Sequence, residues 1–284
     1  MSRVRASFAI LGTSMLALGA CGARTGLDVP PPSSDVPPVV DCTKQGITYI
    51  YLITAENVLY GFYPPDLGLK QIGTIACDDP GGGTPYSMAV DRSGVAYVLF
   101  SSGNVFRVST ANASCKPTAF VPHDSDFSRL FGMGFSADTG GPGETLFVAS
   151  SGAPGRLATI ALGTFDLSVV GAFSNDIGSA ELTGTGDGKL YGFGVESPAL
   201  HLAQIDKTTA TILGDVLLTL PSGNSLASWA FAYYGGDFYF FTGDGGASHI
   251  SRYHPGDQPA VAAALLDVNN TIVGAGVSTC APQQ

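Results

Sequence analysis

Glutamate is nearly missing from this sequence: 4 Glu stand against 19 Asp. Charged residues of either sign make up only 13% of the 284 residues, about half the usual share. Exposed helices draw on Glu, Lys and other strong helix formers, so this shortage argues against an α-rich fold. Lys and Arg together number 13, and the formal net charge is −10. No basic surface can be assembled from so few, which argues against nucleic acid as a partner. Signatures of metal and nucleophile chemistry are missing too. His123, His201, His249 and His254 have no ligand spacing, and no Cys-x-x-Cys occurs. No Gly-x-Ser-x-Gly elbow is present. No cofactor and no metal are expected. What the chain does have is 38 Gly, 18 Pro and 45% hydrophobic residues. Its length allows two domains or one all-β domain.

Long apolar runs are absent except at the start. Arg3 and Arg5 precede an uncharged stretch, Ala6 to Ala20, which is short for a bilayer span. Leu18-Gly19-Ala20-Cys21 closes it. The segment resembles a bacterial lipoprotein signal peptide. That resemblance implies removal of residues 1–20, a diacylglyceryl thioether and an acylated amine on Cys21, and a membrane partner through the lipid anchor. Gly22, standing where Asp would signal inner-membrane retention, points to the outer membrane. Residues 21–41 then form a tether. Pro30, Pro31, Pro32, Pro37 and Pro38 favour extended polyproline II and oppose a packed core. Such a tether reaches up to about 60 Å.

From residue 42 onward a repeat governs the chain. Its unit is an apolar run, a Gly/Asp turn, then a run with an aromatic. Tyr51, Tyr97, Phe147, Tyr191 and Tyr239 are spaced 46, 50, 44 and 48 residues apart. Further short runs follow each, for example 104–109 and 157–162, then 71–76, 167–172 and 211–216. Four short strands per repeat of this length is the pattern of a propeller blade. Five such units predict an all-β, five-bladed β-propeller over 42–284. The first unit, opening at 47–51, has no inner strand. One appears at the far end, over 271–277. The N- and C-terminal strands are therefore expected to close one blade, which removes an open radial edge. A monomer is expected.

Closure brings Cys42 and Cys280 together, before one strand and after its partner. Cys77 and Cys115 remain as a second pair by elimination, in a chain whose leader permits disulfides. Their expected positions, at the end of one outer strand and the start of the next, lie near opposite faces, so free thiols are the alternative. The Asp91-Arg92-Ser93-Gly94-Val95-Ala96-Tyr97 segment resembles the strand–turn–strand element of NHL-type and related propellers. The chain from about 42 to 280 is similar to the uncharacterised β-propeller lipoproteins of Gram-negative bacteria. This resemblance implies an architecture and a cell-envelope address, and no residue-level function.

In the repeat alignment Ser87, Gly132, Glu181 and Trp229 share one inner-strand position, completed by Val273 or Gly274. Glu181 and Trp229, with nearby Tyr86 and Arg129, form the candidate ligand-binding group. Aromatic faces with a few polar groups suit sugars or peptides. The reading is a non-enzymatic binding or scaffolding module whose partner is a glycan, a peptide or another envelope protein. The alternative is a carbohydrate-active hydrolase or lyase at the channel. That chemistry needs two carboxylates, and Asp124, Asp126 or Asp176 would have to join Glu181 from the loops. Gly184-Thr185-Gly186-Asp187-Gly188-Lys189 lacks phosphate-loop spacing and reads as a hairpin turn. Asp237 with Gly243-Asp244-Gly245-Gly246 has too few carboxylates for calcium and reads as a loop.

Overall fold

Strands of about six residues, most of them apolar on both faces, account for nearly all of the fold. The computed structural model describes Cys42 and residues 48–284, apart from 123, 124, 129 and 258. These residues fall within one unit, Ser34–Gln284. The expected lipidated Cys21, the tether and Arg129 lie outside the described residues.

Five four-stranded antiparallel sheets surround one axis, each with its strands in sequence order except the first. Blade 1 contains β1 (Ile50–Thr54), β2 (Val58–Tyr63) and β3 (Gly68–Thr74). Blade 2 is β4 (Pro85–Val90), β5 (Val95–Phe100), β6 (Val105–Ser109) and β7 (Cys115–Pro117). Blade 3 is β8 (Phe131–Ala137), β9 (Glu144–Ser150), β10 (Arg156–Ile160) and β11 (Leu167–Ala172). Blade 4 is β12 (Ser179–Gly184), β13 (Leu190–Glu196), β14 (Ala199–Ile205) and β15 (Ile212–Leu217). Blade 5 is β16 (Ser228–Tyr234), β17 (Asp237–Gly243), β18 (Ser248–Tyr253) and β19 (Ala263–Val268). The last strand, β20 (Ile272–Val277), completes blade 1 as its inner strand, pairing Ile50 with Val277 and Leu52 with Ala275. The chain is a five-bladed β-propeller.

Hydrophobic clusters of buried residues lie at every junction between successive blades. Strand β5 shows why. Its Tyr97 and Leu99 pack toward blade 3, while Ala96, Val98 and Phe100 pack toward blade 1. A strand buried on both faces reads as a continuous apolar run, and Val95-Ala96-Tyr97-Val98-Leu99-Phe100 is one. Outer strands face solvent on one side and carry the polar alternation; Leu213 and Leu217 of β15 are exposed.

Both disulfides are formed. Cys42–Cys280 has a Cα–Cα distance of 5.1 Å, and Cys77–Cys115 one of 5.2 Å. The second is the pair expected by elimination, and the free-thiol alternative is not realised. A blade twists cumulatively from its inner to its outer strand, and the end of β3 reaches the turn before β7: a Cβ on Gly73 would lie 3.0 Å from that of Ala113. Cys77 follows β3 and Cys115 opens β7. The equivalent junction between blades 3 and 4 holds no cysteines. There Ile212 N–H donates to Ser174 Oγ at 3.0 Å.

Disulfides of this kind belong to an exported, non-cytoplasmic chain. Among the described residues no helix is long and apolar enough to cross a membrane.

Candidate functional site: a one-ended cavity at the propeller axis

The inner strands β4, β8, β12, β16 and β20 ring the axis. Their pairing to the next strand defines equivalent positions. Ser87 lies opposite Leu99, Gly132 opposite Ala149, Glu181 opposite Phe193, Ala230 opposite Phe241 and Gly274 opposite Ile53. Ala230, not Trp229, is therefore the blade 5 member of this ring. The difference comes from turn length. Blade 5 joins its first two strands through Gly235 and Gly236 alone, both at positive φ, whereas blade 4 uses the five residues 185–189. Counting back from the turn slips by one.

Two ring glycines let neighbouring backbones touch. A Cβ on Gly132 would stand 2.1 Å from Ala180 O, and one on Gly274 would stand 2.9 Å from Met88 N. With the strands this close, the Glu181 side chain spans the axis. Ser87 Oγ, two blades away, donates to Glu181 Oε2 at 2.6 Å and accepts from Met133 N–H at 3.1 Å. Glu181 is 5% exposed. Burial pushes its carboxyl well above the usual carboxylate range, against the opposing pull of the Ser87 and Met133 hydrogen bonds.

One end of the channel is sealed. After β20 the chain runs across the inner turns of the other four blades. Arg92 Nε donates to Thr279 Oγ1 at 2.6 Å, and Thr279 donates to Glu144 Oε2 at 2.7 Å. Arg92 N–H donates to Glu144 Oε1 at 2.7 Å. Gly186 N–H donates to Gln283 Oε1 at 3.2 Å, and Gly235 N–H donates to the Pro282 carbonyl at 2.8 Å. Tyr233 OH donates to the Gln283 carbonyl at 2.9 Å. Glu144 is pushed up to about 7, by burial foremost, in spite of its hydrogen bonds from Arg92 and Thr279.

The other end opens as a cavity of about 100 Å³ lined by Tyr86, Glu181, Ala227, Ser228, Trp229 and Val273. Three of the four candidate ligand residues, Glu181, Trp229 and Tyr86, thus share one cavity. Tyr86, Trp229 and Val273 each precede a ring residue by one. Tyr86 is raised to about 12, by burial first and by the nearby Glu181 second. The Ser228 hydroxyl has no hydrogen-bond partner among the described residues.

Glu181 is the cavity's lone carboxylate among the described residues. Asp126 is engaged with Arg156 at 2.7 Å, and Asp176 accepts from Gly178 N–H at 2.9 Å. Neither lines the cavity. His201, His249 and His254 lie outside it and bind aspartates of their own blades. His201 Nδ1 lies 2.8 Å from Asp215 Oδ2, and His249 Nδ1 lies 2.7 Å from Asp267 Oδ1, in matching places on blades 4 and 5. Thr185 to Lys189 forms a hairpin turn, held by Lys189 N–H to Thr185 Oγ1 at 3.0 Å. Sequence reasoning missed the sealing segment. Its one signal was the scarcity of glutamate: two of the four, Glu144 and Glu181, are largely buried.

No protein-family model matches the chain, and a search of curated proteins gives no match. Solved structures do resemble it. A chain of a nidogen/laminin complex aligns with a TM-score of 0.53 and 12% identity, over 84% of this chain and 99% of that one. A luciferin-regenerating enzyme aligns at 0.44 and 13% identity, over 80% and 75%. Virginiamycin B lyase from Staphylococcus aureus aligns at 0.41 and 13% identity, over 76% and 68%. The first likeness supports the fold and says nothing of chemistry; the other two are too distant to support any inference.

Proposed function

We propose that this chain is a monomeric, lipid-anchored propeller of the bacterial cell envelope, serving as a binding or scaffolding module. The observation that carries the binding part is the cavity that joins Glu181, Tyr86 and Trp229 at the one unsealed end of the axis. A hydrolase or lyase acting on glycans would need a second carboxylate beside Glu181, and the described lining has none. The address rests on Leu18-Gly19-Ala20-Cys21, the proline-rich stretch after it and the disulfides.

Two experiments test this reading. Full-length chain in detergent is screened on glycan and peptide arrays beside Trp229→Ala and Glu181→Gln. Capture that both substitutions abolish is the expected result. Capture that neither substitution alters would remove the cavity from the function. For the anchor, cells expressing the chain are fed labelled palmitate. Label is expected on the wild type and not on Cys21→Ala; equal labelling of both would overturn the lipid assignment.

A further inference from the structure

We infer that the cavity at the open end of the axis takes a cationic alkylammonium head group, with Glu181 as its counter-ion and Tyr86 and Trp229 as its aromatic walls. This rests on the binding-module reading and names the ligand class of that site.

The first ground is a buried carboxyl with no cationic partner. Glu181 is buried, and among the described residues no Lys, Arg or His forms an ion pair with it. Its partners are the Ser87 hydroxyl and the Met133 N–H. A buried carboxyl without a cation is costly to ionise. A ligand that brings the cation removes that cost.

The second ground is the wall chemistry. Tyr86 and Trp229 line the same small space, and their ring faces attract cations more strongly once water is excluded. Tyr86 is the titratable side chain that faces Glu181 among the described residues. It stays neutral near pH 7, as any tyrosine does, and burial raises its hydroxyl further, to about 12. No cationic side chain among the described residues lines the cavity to repel the ligand. The chain's net charge of −10 favours a cation at the mouth. The sealed far end makes this a pocket for a head group, not a passage for a polymer.

Proton linkage follows from the burial of Glu181. Burial raises the Glu181 carboxyl in the empty site and a bound cation lowers it, so binding is coupled to proton release. Affinity therefore rises with pH.

The test is calorimetry on the full-length chain in detergent. The probes are choline, n-butylammonium and 3,3-dimethyl-1-butanol, the last a neutral analogue of choline's shape. Choline carries its charge at every pH, so its pH dependence reports the protein. At least one cation is expected to bind one per chain, about tenfold or more tighter than the neutral analogue. Its affinity should increase with pH, with proton release read from buffer-dependent heats. Glu181→Gln should weaken it about tenfold or more, and Trp229→Ala about fivefold. The choline and butylammonium arms separate methylated from primary head groups. Equal binding of the neutral analogue, undiminished binding by Glu181→Gln, or no heat from either cation at about 50 mM would overturn the inference. If Glu181→Gln does not fold, the neutral analogue and Trp229→Ala decide. A glycan captured through Trp229 while both cations fail would sink the ammonium inference and leave the binding module standing. Failure of every array ligand and both cations would sink the ammonium inference and the binding role of the cavity, and leave a scaffold for another envelope protein.

Discussion

Replacing Cys42 and Cys280 together by Ser is expected to cost about 5 kcal/mol of stability by the chain-entropy relation. The bridge spans a sequence separation of 238 residues. The loop it closes in the unfolded chain is therefore nearly the whole propeller. The Cys77–Cys115 bridge spans 38 residues, for which the same relation gives about 4 kcal/mol. The two bridges differ more in what they hold. Cys280 lies within the segment that seals the axis, next to Thr279, which joins Arg92 to Glu144. Loss of that bridge frees β20 to leave blade 1, where it pairs only with β1. Denaturant unfolding measures the cost, and hydrogen exchange locates it. Faster exchange should appear first in β1 and β20 for the Cys42/Cys280 variant. For Cys77→Ser with Cys115→Ser it should appear at β3 and β7. A cost below about 1 kcal/mol for the first pair would mean that strand pairing alone closes the ring.

The propeller was legible because its period is carried by residues whose environment repeats. Tyr51, Tyr97, Phe147, Tyr191 and Tyr239 occupy matching second strands, and both faces of those strands are covered by neighbouring blades. The closing strand was legible as a deficit, since blade 1 lacked an inner strand and 271–277 had no other place. Register within blade 5 was not legible, because a two-residue turn replaced a longer one and moved the ring position from Trp229 to Ala230. The Cys77–Cys115 pair was legible by elimination alone; the sheet twist that brings its cysteines together leaves no mark on spacing. The sealing segment was hidden for another reason. Cys280-Ala281-Pro282-Gln283-Gln284 has the composition of a frayed terminus. Its partners Arg92, Gly186 and Gly235 stand in turns of three different blades, so only the closed ring brings them near. At the cavity, Glu181 and Trp229 were identified from inner-strand positions. The Ser87–Glu181 bond crosses the axis between blades 2 and 4, and nothing local in either strand signals it.

Gly132→Ala is expected to destabilise the chain by about 3 kcal/mol or more, although it adds one methyl group. Two effects oppose one another. Alanine restricts the unfolded chain and would by itself stabilise by about 0.4–1 kcal/mol. Gly132 lies in β8 without a positive φ, so alanine meets no backbone strain there. The steric effect is larger. The new Cβ would stand 2.1 Å from Ala180 O, 2.7 Å from Glu181 Cα and 2.9 Å from Ala180 C, all backbone atoms that no rotamer change can clear. β8 and β12 must separate, and Glu181, carried on β12, is drawn off Ser87. Gly141→Ala is the control, because its Cβ would meet nothing within 4 Å and its φ is not positive. It should change stability by less than about 0.5 kcal/mol. Urea unfolding of the two variants beside wild type gives the comparison. A cost for Gly132→Ala near that of the control would show that the inner strands part freely, and that the Glu181 carboxyl is not held across the axis by the closeness of the backbones.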